Sequence, residues 1–366
     1  MCECEILKVM RKIWWRLGAL VLAAILLAGF FAGVVWLAGT RVANYVNASA
    51  MVGETSARAM CTMDVATGRV LFAHNADEPM GMASTTKVVT ALTVLEHCQD
   101  LDTKIRVADA AIGIEGSSIY LQKGEQLTVR ELLYGLMLRS GNDAAVALAL
   151  AVAPSVAEFA ELMNQTAVKY GAKQTHFVNP HGLDDPEHYT TARDLAKLSA
   201  VALRNPTFVE ICSAKEKRID GPEMPRVLLN KNKLLKSLDG CIGVKTGYTK
   251  KTGRSFVGAR EVDGQKIVCV VLNCGPMFPE TAQLLQDADR IYHNKTVLTA
   301  EEIFVDQHGV KGLALENFSY PLSQAELDAL VITIVEDTVI IKLNGETIYH
   351  GACVNLGDGS PGANAR

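Results

Sequence analysis

Residues 17–40 form a run of 24 positions without a charge, with Lys8, Arg11, Lys12 and Arg16 before it and Arg41 just after. As a helix rising about 1.5 Å per residue, the run would be roughly 36 Å long, enough to cross a bilayer's apolar core of about 30 Å with some tilt. It is a membrane segment and stands apart from whatever the rest of the chain folds into. The excess of cations before it predicts a short N-terminus inside and a large C-terminal part outside. A signal peptide's apolar region runs about 7–15 residues, so length favours a retained anchor. Ala48-Ser49-Ala50 offers a cleavage pattern for the alternative, a signal that is removed with the protein secreted.

This segment accounts for the positive mean hydropathy of +0.15; the remainder has an ordinary globular composition. Beyond residue 50 there are 31 Lys and Arg against 38 Asp and Glu, a net charge near −7, with no basic stripe. That excludes a nucleic-acid binder. Of nine cysteines, Cys2 and Cys4 precede the apolar run and seven follow it. Seven cannot all pair, and their scatter fits no framework spacing, so they read as buried small hydrophobes. Cys2-x-Cys4 has no second pair nearby, and no metal or other cofactor is implied.

Past the anchor (residues 1–50), residues 59–73 read as a β-hairpin. A helix is expected from Ser84 to His97, and helix starts are marked by Thr128-x-x-Glu131, Ser155-x-x-Glu158 and Thr191-x-x-Asp194. The period then changes to strand-like runs at 240–246, 255–260 and 266–272, closed by a helix over 281–292. Strands at both ends with helices between describe an α+β domain over residues 54–295. Residues 296–356 are β-rich, with Asn344-Gly345 as a hairpin turn, and predict a small second domain. Residues 357–366 are a polar, Gly-rich tail read as unfolded.

Three short motifs fall in the larger domain: Ser84-Thr85-Thr86-Lys87, Ser140-Gly141-Asn142 and Lys245-Thr246-Gly247. Each alone is uninformative, since about one S-x-x-K is expected by chance in a chain this long. Their order and context carry the argument. Ser84 and Lys87 share a helix face, so the amine can take the serine's proton if burial and a second cation push its pKa far below about 10.4. Lys245 is the natural second cation. Ser140 and Asn142 sit at a break between helices, where a turn can aim polar groups into a cleft. Lys245-Thr246-Gly247 ends a strand on the cleft's other wall, its glycine letting a substrate approach the backbone. Lys251-Thr252-Gly253 repeats the third motif but reads as a turn. Together the three form a serine acyl-transfer site.

The chain resembles the D-alanyl-D-alanine carboxypeptidases, the low-molecular-weight penicillin-binding proteins of serine peptidase family S11. The resemblance rests on these motifs and on Gly116-Ser117-Ser118-Ile119-Tyr120, Asn179-Pro180-His181-Gly182-Leu183-Asp184 and Gly243-Val244-Lys245-Thr246-Gly247-Tyr248-Thr249. It implies the penicillin-binding, β-lactamase-like transpeptidase fold, an antiparallel sheet flanked by helices, followed by a β-rich domain. It also implies a peptidoglycan pentapeptide ending in D-Ala-D-Ala as substrate and β-lactams as acylating mimics, outside the cell membrane at the bacterial wall. By resemblance Ser84 is the nucleophile, Lys87 its base and Ser140 the relay to the leaving amine. Asn142 holds the substrate amide, and Lys245 and Thr246 face its terminal carboxylate. The backbone N–H groups of Ser84 and Tyr248 form the oxyanion hole, with Gly247 beside them.

Two departures from the family pattern stand out. Members with a C-terminal amphipathic helix carry it after the β-rich domain, where this chain has its Gly-rich tail, which favours the N-terminal anchor. Some members place a carboxylate-binding arginine after the third core strand, where this chain reads Asn273-Cys274-Gly275-Pro276-Met277. The rival readings are a serine β-lactamase, which needs a carboxylate over the acyl bond where only Glu161 offers itself, and an idle wall-binding or β-lactam-sensing protein. His176, His181 and His188 with Asp184 and Asp185 match no metal spacing, and a triad through His181 would leave the Ser84–Lys87 pairing unexplained.

Overall fold

Residues 268–272 are buried one after another, as are residues 59–64, so both strands have covered faces on either side. A computed structural model describes residues 55–221 and 224–357; the apolar run at 17–40 and the tail from 358 lie outside the described residues. Its main sheet has five antiparallel strands: β1 (Ala59–Asp64), β2 (Val70–His74), β3 (Cys241–Thr249), β4 (Gly253–Val262) and β5 (Gln265–Leu272). Their spatial order is β2-β1-β5-β4-β3. The first hairpin thus forms one side of the sheet, and after the helices the chain returns to add the other three strands, β5 in the centre.

The helices between are α1 (Lys87–His97), α2 (Asn142–Val152), α3 (Val156–Lys169) and α4 (Ala192–Ala202). They share one core with alternate sheet residues, among them Ala59, Cys61, Val268 and Val270. The opposite face is covered by α5 (Met277–Ile291), which packs on β4 and β5. Sequence signals start these elements where expected: the hydroxyls of Thr128, Ser155 and Thr191 accept the N–H of Glu131, Glu158 and Asp194.

A second five-stranded sheet, with its own small core around Val339, Ile341 and Cys353, follows. Its hairpin turns on Asn344 and Gly345, both at positive φ, as a two-residue turn requires. Arg69, beside β2, ties the main sheet to the strand Phe318–Leu322 and the short helix Gln324–Asp328. Its guanidinium donates to the Pro321 carbonyl and the Glu326 carboxylate and lies 5.1 Å from the ring centres of both Tyr292 and Tyr320. All seven cysteines among the described residues are free thiols and five are buried, as small hydrophobes are.

Candidate active site

Ser84 lies in a tight 3-10 turn, Ala83–Thr86, rather than in the α-helix, which begins only at Lys87. Side chains at i and i+3 eclipse in such a turn, so it aligns Ser84 with Lys87 better than an α-helix would. Ala83 enters at φ 49°, a strained conformation for a residue with a side chain. Hydrogen bonds hold it there: the Thr85 and Thr86 hydroxyls donate to the carbonyls of Met82 (2.6 Å) and Ala83 (2.8 Å). His188 braces Thr86 from behind. Its Nδ1 accepts the N–H of Val178 (3.2 Å), so the neutral ring carries its proton on Nε2, 2.8 Å from the Thr86 hydroxyl.

Burial pushes His188 and His181 down to about 4 from the usual 6.5, with the nearby Lys87 adding to the shift of each. The unfolded chain therefore takes up protons below pH 6.5 that the folded rings refuse. Stability is expected to be full above pH 6.5 and to decline towards pH 4, by on the order of 3 kcal/mol per ring. Melting curves across that range check this, and His188→Gln should flatten the decline.

Lys87 is completely buried, and its Nζ meets three oxygens: Ser84 Oγ at 2.9 Å, Asn142 Oδ1 at 2.7 Å and the His181 carbonyl. Burial first, then the charges of Lys245 and Lys231, hold its pKa well below 10.5. A neutral amine has two N–H bonds and one lone pair. Asn142 Oδ1 and the His181 carbonyl can only accept, so they take the two hydrogens and leave the lone pair for the Ser84 hydroxyl.

The second motif follows a five-residue π-helical turn, Gly135–Arg139, with Ser140 left-handed at φ 64° and Asn142 opening α2. The Asp143 carboxylate collects the N–H groups of Ile119 and Leu121, each at 3.1 Å, and so shapes the loop over 115–121. Asn142 is held between two partners. Its Oδ1 is on Lys87, its Nδ2 donates to the Glu115 carbonyl, and it is 3% exposed.

Lys245, Thr246 and Gly247 lie within β3 and not at its end, because the β3–β4 pairing runs on to Thr249 and Gly253. The Gly247 backbone passes so close to the turn at Ala83–Thr86 that a Cβ would lie 3.0 Å from the Met82 carbonyl and 3.2 Å from Ser84 N. Lys245 is 1% exposed, with Nζ 2.9 Å from the Thr246 carbonyl. Burial, then Lys231, lowers its pKa to about 7.

A cleft of about 320 Å³ is lined by Ser84, Ser140, Thr246, Gly247 and Tyr248. Of the eight predicted residues, then, five line the cleft, while Lys87, Asn142 and Lys245 are buried and do not line it. Sequence reading missed five other lining residues: Ser117, Lys231, Arg254, Met277 and Phe278. Lys231 donates to Ser117 Oγ at 2.9 Å. Arg254 arrives through the hairpin register that sets it opposite Tyr248. Among the described residues no carboxylate lines the cleft, and Glu161 is exposed on α3.

The sequence profile described as D-alanyl-D-alanine carboxypeptidase, Peptidase S11, matches residues 44–275. D-alanyl-D-alanine carboxypeptidase DacF of Bacillus subtilis is 32% identical over 228 residues, covering 61% of this chain and 59% of the relative. D-alanyl-D-alanine carboxypeptidase DacC of Escherichia coli is 34% identical over 271 residues, covering 69% and 66%. Both matches span less than two thirds of the relative's length. The crystal structure of penicillin binding protein 6B from Escherichia coli superposes with a TM-score of 0.70 at 27% identity, covering 84% of this chain and 98% of that one. With the profile matching most of the chain and the three motifs folded around one cleft, the chain belongs to the D-alanyl-D-alanine carboxypeptidase family.

Proposed function

We propose that the protein is a serine D-Ala-D-Ala carboxypeptidase that removes the terminal D-alanine from peptidoglycan stem pentapeptides and is acylated at Ser84 by β-lactams. The observation that carries this reading is the seat of Lys87, a buried amine with two fixed acceptors and its lone pair left facing Ser84 Oγ. Ser84 Oγ attacks the carbonyl between the last two D-alanines as its proton passes to Lys87. The backbone N–H groups of Ser84 and Tyr248 receive the oxyanion. The C–N bond then breaks, the proton moves from Lys87 through the Ser140 hydroxyl to the departing amine, and an ester on Ser84 remains. Water, deprotonated by the again neutral Lys87, cleaves that ester and releases the shortened peptide.

Lys245, with its pKa near 7, carries only part of a charge at neutral pH and is turned to the Thr246 carbonyl. Arg254 is exposed in the cleft, with only a 3.5 Å contact to the Gly275 carbonyl, and supplies the permanent charge for the substrate's carboxylate beside Thr246. That no carboxylate among the described residues lines the cleft supports slow release of a β-lactam. We read the segment over 1–50 as the membrane tether and the β-rich part as a spacer.

Incubation with a D-Ala-D-Ala pentapeptide is expected to release D-alanine. Penicillin should leave a long-lived adduct that peptide mapping by mass spectrometry places on Ser84. No D-alanine release would sink the carboxypeptidase reading, and rapid penicillin turnover would make the protein a β-lactamase.

A further inference from the structure

The second Lys-Thr-Gly copy, at 251–253, takes no part in the chemistry above, yet its threonine is 8% exposed and hydrogen-bonded. Thr252 Oγ1 and Thr249 Oγ1 each donate to Asp184 Oδ1 at 2.9 Å, and the Thr252 N–H donates to Thr249 Oγ1 at 2.9 Å. Thr249 is the last residue of β3, the strand that carries Thr246, Gly247 and Tyr248 along the cleft. Asp184 lies three residues after His181, whose carbonyl seats Lys87.

The loop between is stiff. Asn179 Oδ1 accepts the N–H of His181 (3.2 Å) and of Gly182 (2.7 Å), and its Nδ2 donates to the Leu183 carbonyl at 3.1 Å. A displacement at Asp184 is therefore carried back to the His181 carbonyl. On one side the loop's Gly182 lies in close contact with Ala83 of the nucleophile turn. A second cleft, of about 420 Å³, opens beside it, lined among others by Met82, Ala83, Gly182, Asp184 and Thr252. Where no side chains fill the space, hydrogen bonds must set the spacing.

We infer that Asp184, with Thr249 and Thr252, is a latch that holds the substrate-binding strand β3 at a fixed distance from the loop seating Lys87. Asp184 is thus a positioning residue. It touches no reacting atom, and the repeated motif is used for its threonine. The inference rests on the acylation proposed above for its kinetic consequence, but the latch itself is geometric.

The test compares Asp184→Ala, Asp184→Asn, Thr252→Val and the Asp184→Ala/Thr252→Val double variant with the wild-type chain, using the acylation rate with a fluorescent penicillin. Asp184→Ala is expected to acylate about 10-fold more slowly, since sub-ångström misplacement of reacting groups is felt directly in rate. Asp184→Asn keeps an oxygen that accepts both hydroxyls and should stay within about 3-fold of wild type. The double variant should be no slower than Asp184→Ala, because both changes open the same latch. Amide hydrogen exchange should quicken over residues 181–184 and 245–252 in Asp184→Ala, with the melting temperature nearly unchanged. An Asp184→Ala rate within 2-fold of wild type, an Asn variant as slow as Ala, or multiplying effects in the double variant would each overturn the latch. A wild-type chain that penicillin does not label refutes the acylation reading instead. The exchange measurement then decides alone, with unchanged exchange in both segments overturning the latch.

Discussion

Lys87→Met is expected to slow acylation of Ser84 by about 10³-fold, inside the range a general base contributes, while the fold stands. At neutral pH the buried amine is available as a base only because burial and the charges of Lys245 and Lys231 hold its pKa well below 10.5. The unfolded chain keeps the ordinary value, so folding weakens this amine's hold on its proton, and that works against stability. Methionine removes that penalty and fills the site with a flexible apolar chain, but leaves Asn142 Oδ1 and the His181 carbonyl without a donor. These changes oppose one another, so the melting temperature should move by only a few degrees. Lys87→Arg should be as inactive as Met, because a guanidinium keeps its proton and cannot serve as the base. In the wild type, acylation should rise with pH through an acidic limb far below 10.5, as Lys87 gives up its proton. A methionine variant labelled by penicillin within 10-fold of the wild-type rate would remove Lys87 from the proton's path.

What the sequence disclosed is what local rules encode. Three threonine and serine caps, the Asn344-Gly345 turn and the run of strands after residue 240 depend on neighbours a few positions away, and all occur as read. The three motifs were legible because their chemistry needs particular side chains in a particular order. What stayed hidden depends on distant parts of the chain. Lys231 reaches the cleft from the loop after the strand Arg226–Leu229, and nothing in its own surroundings marks it. His181 meets Lys87 through a carbonyl that any residue would carry, so nothing in its side chain marks it. Arg254 occupies the cleft because of hairpin register, which motif matching does not examine. Asn142 was recognised, but its place between Lys87 and the Glu115 carbonyl was not.

Gly182→Ala should show how tightly the nucleophile turn is held. Gly182 lies at φ 84°, and a Cβ there would stand 2.0 Å from the Ala83 carbonyl oxygen and 2.8 Å from Thr86 Oγ1. The first contact is with backbone and cannot be relieved by a rotamer change. Either the loop over 181–184 withdraws, taking the His181 carbonyl from Lys87, or Ala83 moves and carries Ser84 with it. Both outcomes misplace reacting groups by about 1 Å, a displacement associated with roughly 10²-fold in rate. The left-handed backbone and the overlap together should cost about 3 kcal/mol or more of stability. Gly68→Ala is the control that separates these causes. Gly68 has a similar φ of 73° in the β1–β2 turn, but no atom lies within 4 Å of its added Cβ. That variant should lose about 1 kcal/mol from backbone strain alone and acylate at the wild-type rate. If Gly182→Ala behaved like Gly68→Ala in both melting and acylation, close backbone contact between the 181–184 loop and the nucleophile turn would not be what keeps Ser84 aligned with Lys87.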